Sequence, residues 1–168
     1  MRHQAMHDGL TGLANRRLFY SHLEELLKKN LSGAVFYLDI DGFKEINDTL
    51  GHAAGDILLQ EIARRIASEV REEDCAARIG GDEFAVVLHS LSSREEIKKA
   101  GVRILRKIAR KAVIGGHEVF VSASMGISLF PEDGTKPGDL IKYADSAMYY
   151  SKENGKNRCT FWKESRTA

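Results

Sequence analysis

The sequence predicts an α/β chain of the α+β sandwich type, with a mixed β-sheet and helices packed on it. Two observations carry this. Apolar residues switch between helical spacing and short continuous or alternating runs, in the order helix, strand, helix, hairpin, helix, strand, helix. The length, 168 residues without an internal repeat or low-complexity stretch, suits one domain with one core.

Each element has its own reason. In "HDGLTGLANRR", Gly9 and Gly12 punctuate a loop and Asn15 is placed to cap a helix. Phe19, Leu23, Leu26 and Leu27 then recur at helical spacing. "GAVFYLDID" follows, continuously apolar from Ala34 to Leu38, which predicts a strand buried on both faces. "GFKEINDTLGH" reads as a short helix stopping near Gly51. From Asp56 onward, Leu58, Ile62, Ile66 and Val70 recur every four residues and predict a further amphipathic helix. "CAARI" and "FAVVL" flank Gly80–Gly81 as a hairpin. Residues 93–113 read as a helix with Ile97, Ile104 and Ile108 inward. Its Lys98, Lys99, Arg106, Lys107, Arg110 and Lys111 read as a solvated basic face. "EVFVSASMGISLF" alternates, with Val119 to Leu129 sharing one side, and predicts one half-buried strand. "PEDG" is a turn. Leu140, Ala144, Ala147 and Met148 mark the last helix, and "CTFW" closes as a short strand.

Composition narrows the function classes. Apolar residues make up 43%, and 25 basic against 24 acidic residues leave a formal charge of +1, which gives no footing for a nucleic-acid partner. No apolar run approaches the ~20 residues of a membrane span. "MRHQAMHDGL" lacks the apolar core of an export signal. Cys75 and Cys159 stand apart in no metal-like spacing and read as free thiols in a reducing, cytoplasmic compartment.

Two stretches can carry chemistry. In "YLDIDGFKEIN", Asp39 and Asp41 fall at the carboxyl end of the buried strand, where open sheets bind ligands. The turn from Gly42 to Glu45 offers free helix N-terminal N–H groups, and Lys44 adds a cation. Asp41 reads first as a cap for that helix. Asp39 ends too apolar a run to stand without a partner. In "ARIGGDEFAVVL", Gly80 and Gly81 admit a bulky group against the backbone, and Asp82 and Glu83 follow at once. Acids converging from two strands repel unless a cation lies between them, and hard oxygen ligands select Mg²⁺ or Mn²⁺ beside substrate phosphates. The alternative is an ordinary exposed turn.

"RIGGDEFAVVL" resembles the central motif of the GGDEF domain, the diguanylate cyclase family. "DGLTGLANRR" (8–17), "DIDGFKEINDTLGHAAGD" (39–56), "SMGIS" (124–128) and "ADSAMYYSKENGKN" (144–157) resemble its other motifs in the same order. The resemblance covers about residues 8–162 and treats 1–168 as one GGDEF domain. It implies a palm-like fold with a mainly antiparallel sheet, as in nucleotide cyclases and polymerases. The implied reaction condenses two GTP into cyclic di-GMP and two pyrophosphates across a homodimer, with two Mg²⁺ or Mn²⁺ ions per half-site.

The resemblance assigns roles by position. Asp39, the Ile40 carbonyl, Asp82 and Glu83 match metal-site groups, with Asp82 also matching a proposed base. Phe43, Lys44, Gly80, Gly81, Lys152 and Lys156 match positions at the phosphates, and His52 a further substrate contact. Asn47 and Asp56 match the guanine readers, whose donor and acceptor chemistry suits that edge. Asp56, where makers of mixed dinucleotides tend to carry Ser, points to cyclic di-GMP. Lys156 stands where some members have Arg, which keeps the charge and loses the bidentate fork. Arg71 and Asp74 match a product-binding inhibitory site, although such a charged pattern also makes an ordinary surface ion pair. The resemblance further implies a parent signalling chain with a sensor or EAL phosphodiesterase domain. A non-catalytic GTP- or cyclic di-GMP-binding regulator is the competing reading.

Overall fold

The computed structural model describes residues 5–91 and 93–167. The first four residues of the stretch read for an export signal lie outside them. Thirteen elements follow in order: α1 (Arg16–Lys28), β1 (Gly33–Asp41), α2 (Phe43–Leu50), α3 (His52–Ala67), β2 (Cys75–Gly80), β3 (Glu83–His89), α4 (Arg94–Ile108), β4 (Ala112–Ile114), β5 (His117–Val119), β6 (Ser122–Phe130), α5 (Pro137–Glu153), β7 (Arg158–Phe161) and α6 (Trp162–Thr167). The main sheet has five strands in the order β2-β3-β1-β6-β7. All neighbours are antiparallel except β6 and β7. The mixed, mainly antiparallel expectation is met.

The core lies on both faces of this sheet. Phe36, Leu38 and Ile40 point to one face, where Leu58, Ile62 and Ile66 of α3 and Ile97, Ile104 and Ile108 of α4 cover them. Val35 and Tyr37 point to the other, under Phe19, Leu23 and Leu26 of α1 and Leu140, Ala144 and Met148 of α5. Every residue of β1 is buried, as its unbroken apolar run requires. Asn15 caps α1 as expected, its side chain accepting from the Leu18 N–H.

Several boundaries differ from the sequence reading. The helix expected from Asp56 begins at His52 and ends at Ala67, leaving Val70 in the following turn. The helix expected over 93–113 stops at Ile108, and Ala112–Ile114 pairs with His117–Val119 as a separate two-stranded sheet. The alternating strand expected from Glu118 is broken after Val119, and β6 is buried on both faces rather than half-buried. Small residues on its polar side, Ser124, Gly126 and Ser128, explain this, because α5 packs directly onto them. Trp162 opens α6 instead of ending the last strand.

Candidate active site

β1 and β3 run antiparallel, so the end of β1 meets the start of β3. Asp39 lies opposite Glu83, and the Ile40 N–H donates to the Asp82 carbonyl at 3.2 Å. Asp39 and Glu83 share the sheet face that α5 covers. A register shift between Arg78 and Gly80 distorts β2 just before the turn. Gly81 has φ of +51°, and a Cβ on either glycine would meet nothing within 4 Å. The turn therefore leaves open space beside its acids, although Gly80 does not use positive φ.

Asp39 is buried, and its Oδ2 accepts from the Lys152 ammonium of α5 at 2.9 Å. Its Oδ1 is buried and has no hydrogen-bond partner. Asp82 faces it. Burial, then the Asp39 charge, pushes the Asp82 carboxyl up to about 6. Burial alone would depress the Lys152 ammonium, yet Asp39 and, beyond it, Asp82 hold it above its ordinary value. Glu83 Oε1 accepts from the Tyr37 hydroxyl at 2.8 Å. Burial, then Glu83, raises the Tyr37 phenol. Asp145 of α5 joins the same field: burial, then Glu83 and Asp39, raises its carboxyl, and Arg16 opposes the shift.

Among the described residues no three His, Cys, Asp or Glu side chains converge as a ready-made metal cage. The chemistry of the group nevertheless suits a divalent cation. An orphaned buried carboxylate oxygen stands beside an acid pushed toward protonation, and an ammonium already occupies the other oxygen of Asp39.

The Asp82 shift has a consequence for stability. Its folded pKa lies above the ordinary carboxyl value, so ionisation at neutral pH disfavours the fold, and the penalty fades as pH falls through 6 toward 4. With solvent still reaching the group, the penalty is about 1–2 kcal/mol. Asp82→Asn should therefore raise the melting temperature in chelator at pH 7.5 by roughly 2–8 °C. Thermal scans should show that gain shrinking below pH 6 and absent near pH 4.

The residues expected at the substrate lie mainly on the elements that follow β1 and in the loop after α5. Phe43 and Lys44 open α2 under the αL residue Gly42, with no side-chain cap on the helix. The Asp41 cap reading is thereby corrected. Asp41 accepts instead from Ser122 Oγ (2.6 Å), Ser124 Oγ (2.7 Å) and the Asn157 N–H (3.2 Å), pinning β6 and the loop after α5 to β1. That loop carries Lys156 at φ of +61°, exposed. Asn47 Oδ1 is buried without a partner and points at Gly55, beside Asp56, while His52 and Asp56 are exposed on α3.

Arg71 and Asp74 lie in the turn between α3 and β2, away from this cluster. Arg71 Nε and Nη2 donate to Asp74 at 2.7 and 3.2 Å, and Asp74 also accepts from the His89 N–H. The Asp74 side chain is fully buried while Arg71 is half exposed, beside Lys99 and Arg103.

Four contributors escaped the sequence reading. Tyr37 is two residues before Asp39 and so on its face. Asp145 is seven residues before Lys152, two turns away on one face of α5. Arg78 donates to the Gly81 carbonyl at 2.9 Å and to Asp8 at 3.0 Å, tying the turn to the N-terminal loop. Arg16 is an exposed cation facing the acids.

Residues 5–158 match the family described as "Diguanylate cyclase, GGDEF domain". The chain belongs to this GGDEF family. It is 40% identical over 98% of its length to the bifunctional diguanylate cyclase/cyclic di-GMP phosphodiesterase MucR of Pseudomonas aeruginosa, of which it covers 24%. It is 39% identical over 96% of its length to the cyclic di-GMP phosphodiesterase NbdA of the same organism, of which it covers 21%. The chain thus spans about a fifth to a quarter of these relatives. Among solved structures, the GGDEF domain of TpbB from P. aeruginosa superposes with a TM-score of 0.87 at 38% identity, covering 96% of this chain and 98% of that one. The GGDEF domain of DgcB from Caulobacter crescentus, solved with c-di-GMP, gives 0.85 at 28% identity, covering 97% and 99%. The GGDEF fold expected for this chain is the one it has.

Proposed function

We propose that this GGDEF domain is a diguanylate cyclase, condensing two GTP into cyclic di-GMP across two copies of itself. The observation that carries this is the unpartnered, buried Asp39 Oδ1 beside Asp82. Asp39, the Ile40 carbonyl, Asp82 and Glu83 would hold Mg²⁺ or Mn²⁺. When bound, such ions lower the pKa of the attacking hydroxyl and neutralise charge on the leaving group. In each step the 3′-oxygen of one GTP bonds to the α-phosphorus of the other. The bond from that phosphorus to the bridging oxygen breaks, and pyrophosphate leaves with the electron pair. Asp82, at the position matched to a proposed base, would take the hydroxyl proton. Phe43, Lys44, Gly80, Gly81, Lys152 and Lys156 accommodate and neutralise the triphosphate. His52 contacts the substrate, and Asn47 with Asp56 reads guanine. The reaction takes place in the cytoplasm, where GTP is found, and the domain acts as one module of a longer chain with sensor or EAL domains.

The Asn47 role makes a prediction. A Cβ at Gly55 would lie 1.9 Å from Asn47 Oδ1, so Gly55→Ala must push that side chain aside. Calorimetry should show GTP affinity falling on the order of tenfold. The melting temperature should stay within a few degrees, because the clash is with the tip of a side chain.

Product inhibition through Arg71 and Asp74 belongs to the same proposal. Because Asp74 is buried and engaged, Arg71 is the group that reaches an anionic product first, with Lys99 and Arg103 beside it. Arg71→Ala should weaken cyclic di-GMP binding at least tenfold in calorimetry, about the value of a charge-assisted hydrogen bond. Unchanged binding removes the inhibitory role.

The competing regulatory reading draws on the relative named a phosphodiesterase. The two readings separate when chains dimerised by a fused coiled coil receive GTP and Mg²⁺. Cyclic di-GMP from wild type, but not from Asp82→Ala, supports the cyclase. GTP bound and never consumed favours the regulator.

A further inference from the structure

Across the Gly80–Gly81 turn from Lys44 and Lys152 lies a second cationic feature. A surface groove of about 550 Å³ runs between the start of α1 and β2, lined among others by Arg16, Arg17, Tyr20, Arg78 and Ile79. β2 is the edge strand, two strands from β1. At the ~4.8 Å spacing of sheet strands the groove lies roughly 10 Å to the side of the β1 end. Arg78 is spent on Asp8 and the turn carbonyl. Arg16 and Arg17 are exposed and, among the described residues, make no hydrogen bond or ion pair. They occupy the first turn of α1, which contains no acid, so their charges oppose the helix dipole without compensation. The Arg16 charge is also felt at Asp145 and Tyr37, which flank Glu83. Two guanidiniums therefore stand on the β2 side of the turn, with Arg16 in electrostatic reach of Asp145.

We propose that this groove receives the phosphates of the GTP held by a second copy of the chain, with Arg16 and Arg17 acting in trans. The inference rests on the two-copy cyclase reading. Each chain has its own cations, Lys44 and Lys152, on the β1 side of the turn, and the groove lies displaced from them. In a two-fold pair the same patch on each copy serves the nucleotide of the other. Negative charge gathers on the α-phosphate and the departing pyrophosphate, and guanidinium forks match phosphate oxygens two at a time. Tyr20 supplies an apolar wall beside the two cations.

The test uses full chains paired by a heterodimeric coiled coil, given GTP and Mg²⁺, with products resolved by chromatography. Arg16→Ala/Arg17→Ala on both chains should lower turnover on the order of 10²–10³-fold, while GTP binding to the undimerised chain stays within twofold. Arg16→Lys/Arg17→Lys should recover part of the loss, and both variants should melt near wild type because the side chains are exposed. The deciding pair joins an Asp82→Ala chain to an Arg16→Ala/Arg17→Ala chain. Acting in trans, the first chain's arginines complete the half-site containing the second chain's Asp82, so one bond forms and linear pppGpG accumulates without ring closure. Acting in cis, both half-sites are broken and no dinucleotide appears, which overturns the inference. Wild-type turnover in the doubly substituted homodimer overturns it as well. A wild-type pair that consumes no GTP defeats the cyclase reading and this inference together.

Discussion

Asp39→Asn is expected to abolish cyclic di-GMP formation, by on the order of 10³-fold or more, while leaving the fold intact. The size follows from what the carboxylate supplies. A divalent ion contributes several kcal/mol to phosphoryl transfer, and each ~1.4 kcal/mol is tenfold in rate. Asp39 is the acid whose unpartnered buried oxygen is available to such an ion. Asn keeps the shape and still accepts from Lys152 at the other position, so the buried end of β1 loses charge without gaining a cavity. Chromatography of products from dimerised chains measures the rate, and a thermal scan verifies the fold. A variant within tenfold of wild type would remove Asp39 from the metal site.

Gly126→Ala is expected to be the most destabilising single methyl in the site's support. β6 passes directly beneath α5, and a Cβ at Gly126 would lie 2.0 Å from the Ala144 carbonyl oxygen and 2.2 Å from the Met148 nitrogen. These are backbone atoms of a helix, so no side chain can rotate away and α5 itself must lift. Overpacking of this kind costs roughly 3 kcal/mol, a fall of about 6–12 °C in melting temperature for a domain of this size. Activity should fall further than stability, because α5 carries Lys152 and Asp145. The Ser151 hydroxyl donates to the Met125 carbonyl and is lost with the same displacement. Calorimetric melting and residual turnover below the transition read the two effects separately.

The sequence displayed the centre of the site better than its supports. The unbroken run before Asp39 announced a fully buried strand, and the glycine pair announced a hairpin. The register that sets Asp39 opposite Glu83 follows from joining the two. Asp41 was misread because a carboxylate before a helix normally caps it. Here the serines of β6, some eighty residues away in sequence, claim it first. Tyr37 and Asp145 lay hidden inside apolar patterns, where their roles depend on which strand and helix face each other. Arg16 and Arg17 closed the "DGLTGLANRR" motif and carried no role of their own in the sequence. Only the edge position of β2 beside them reveals a groove between the start of α1 and that strand. The β6 strand was read as half-buried because its polar side is made of small residues, which fit under a helix as well as they face water.

The central claim is that Asp39, Asp82, Glu83 and Lys152 form half of a cyclase completed by a second copy. The most direct measurement follows the dimerised chain with GTP and Mg²⁺ and counts products. The account predicts one cyclic di-GMP and two pyrophosphates for every two GTP consumed, a rate that collapses when the coiled coil is removed and the chain is diluted, and no product from Asp82→Ala. Saturable GTP binding to the enforced dimer with no pyrophosphate released would contradict it.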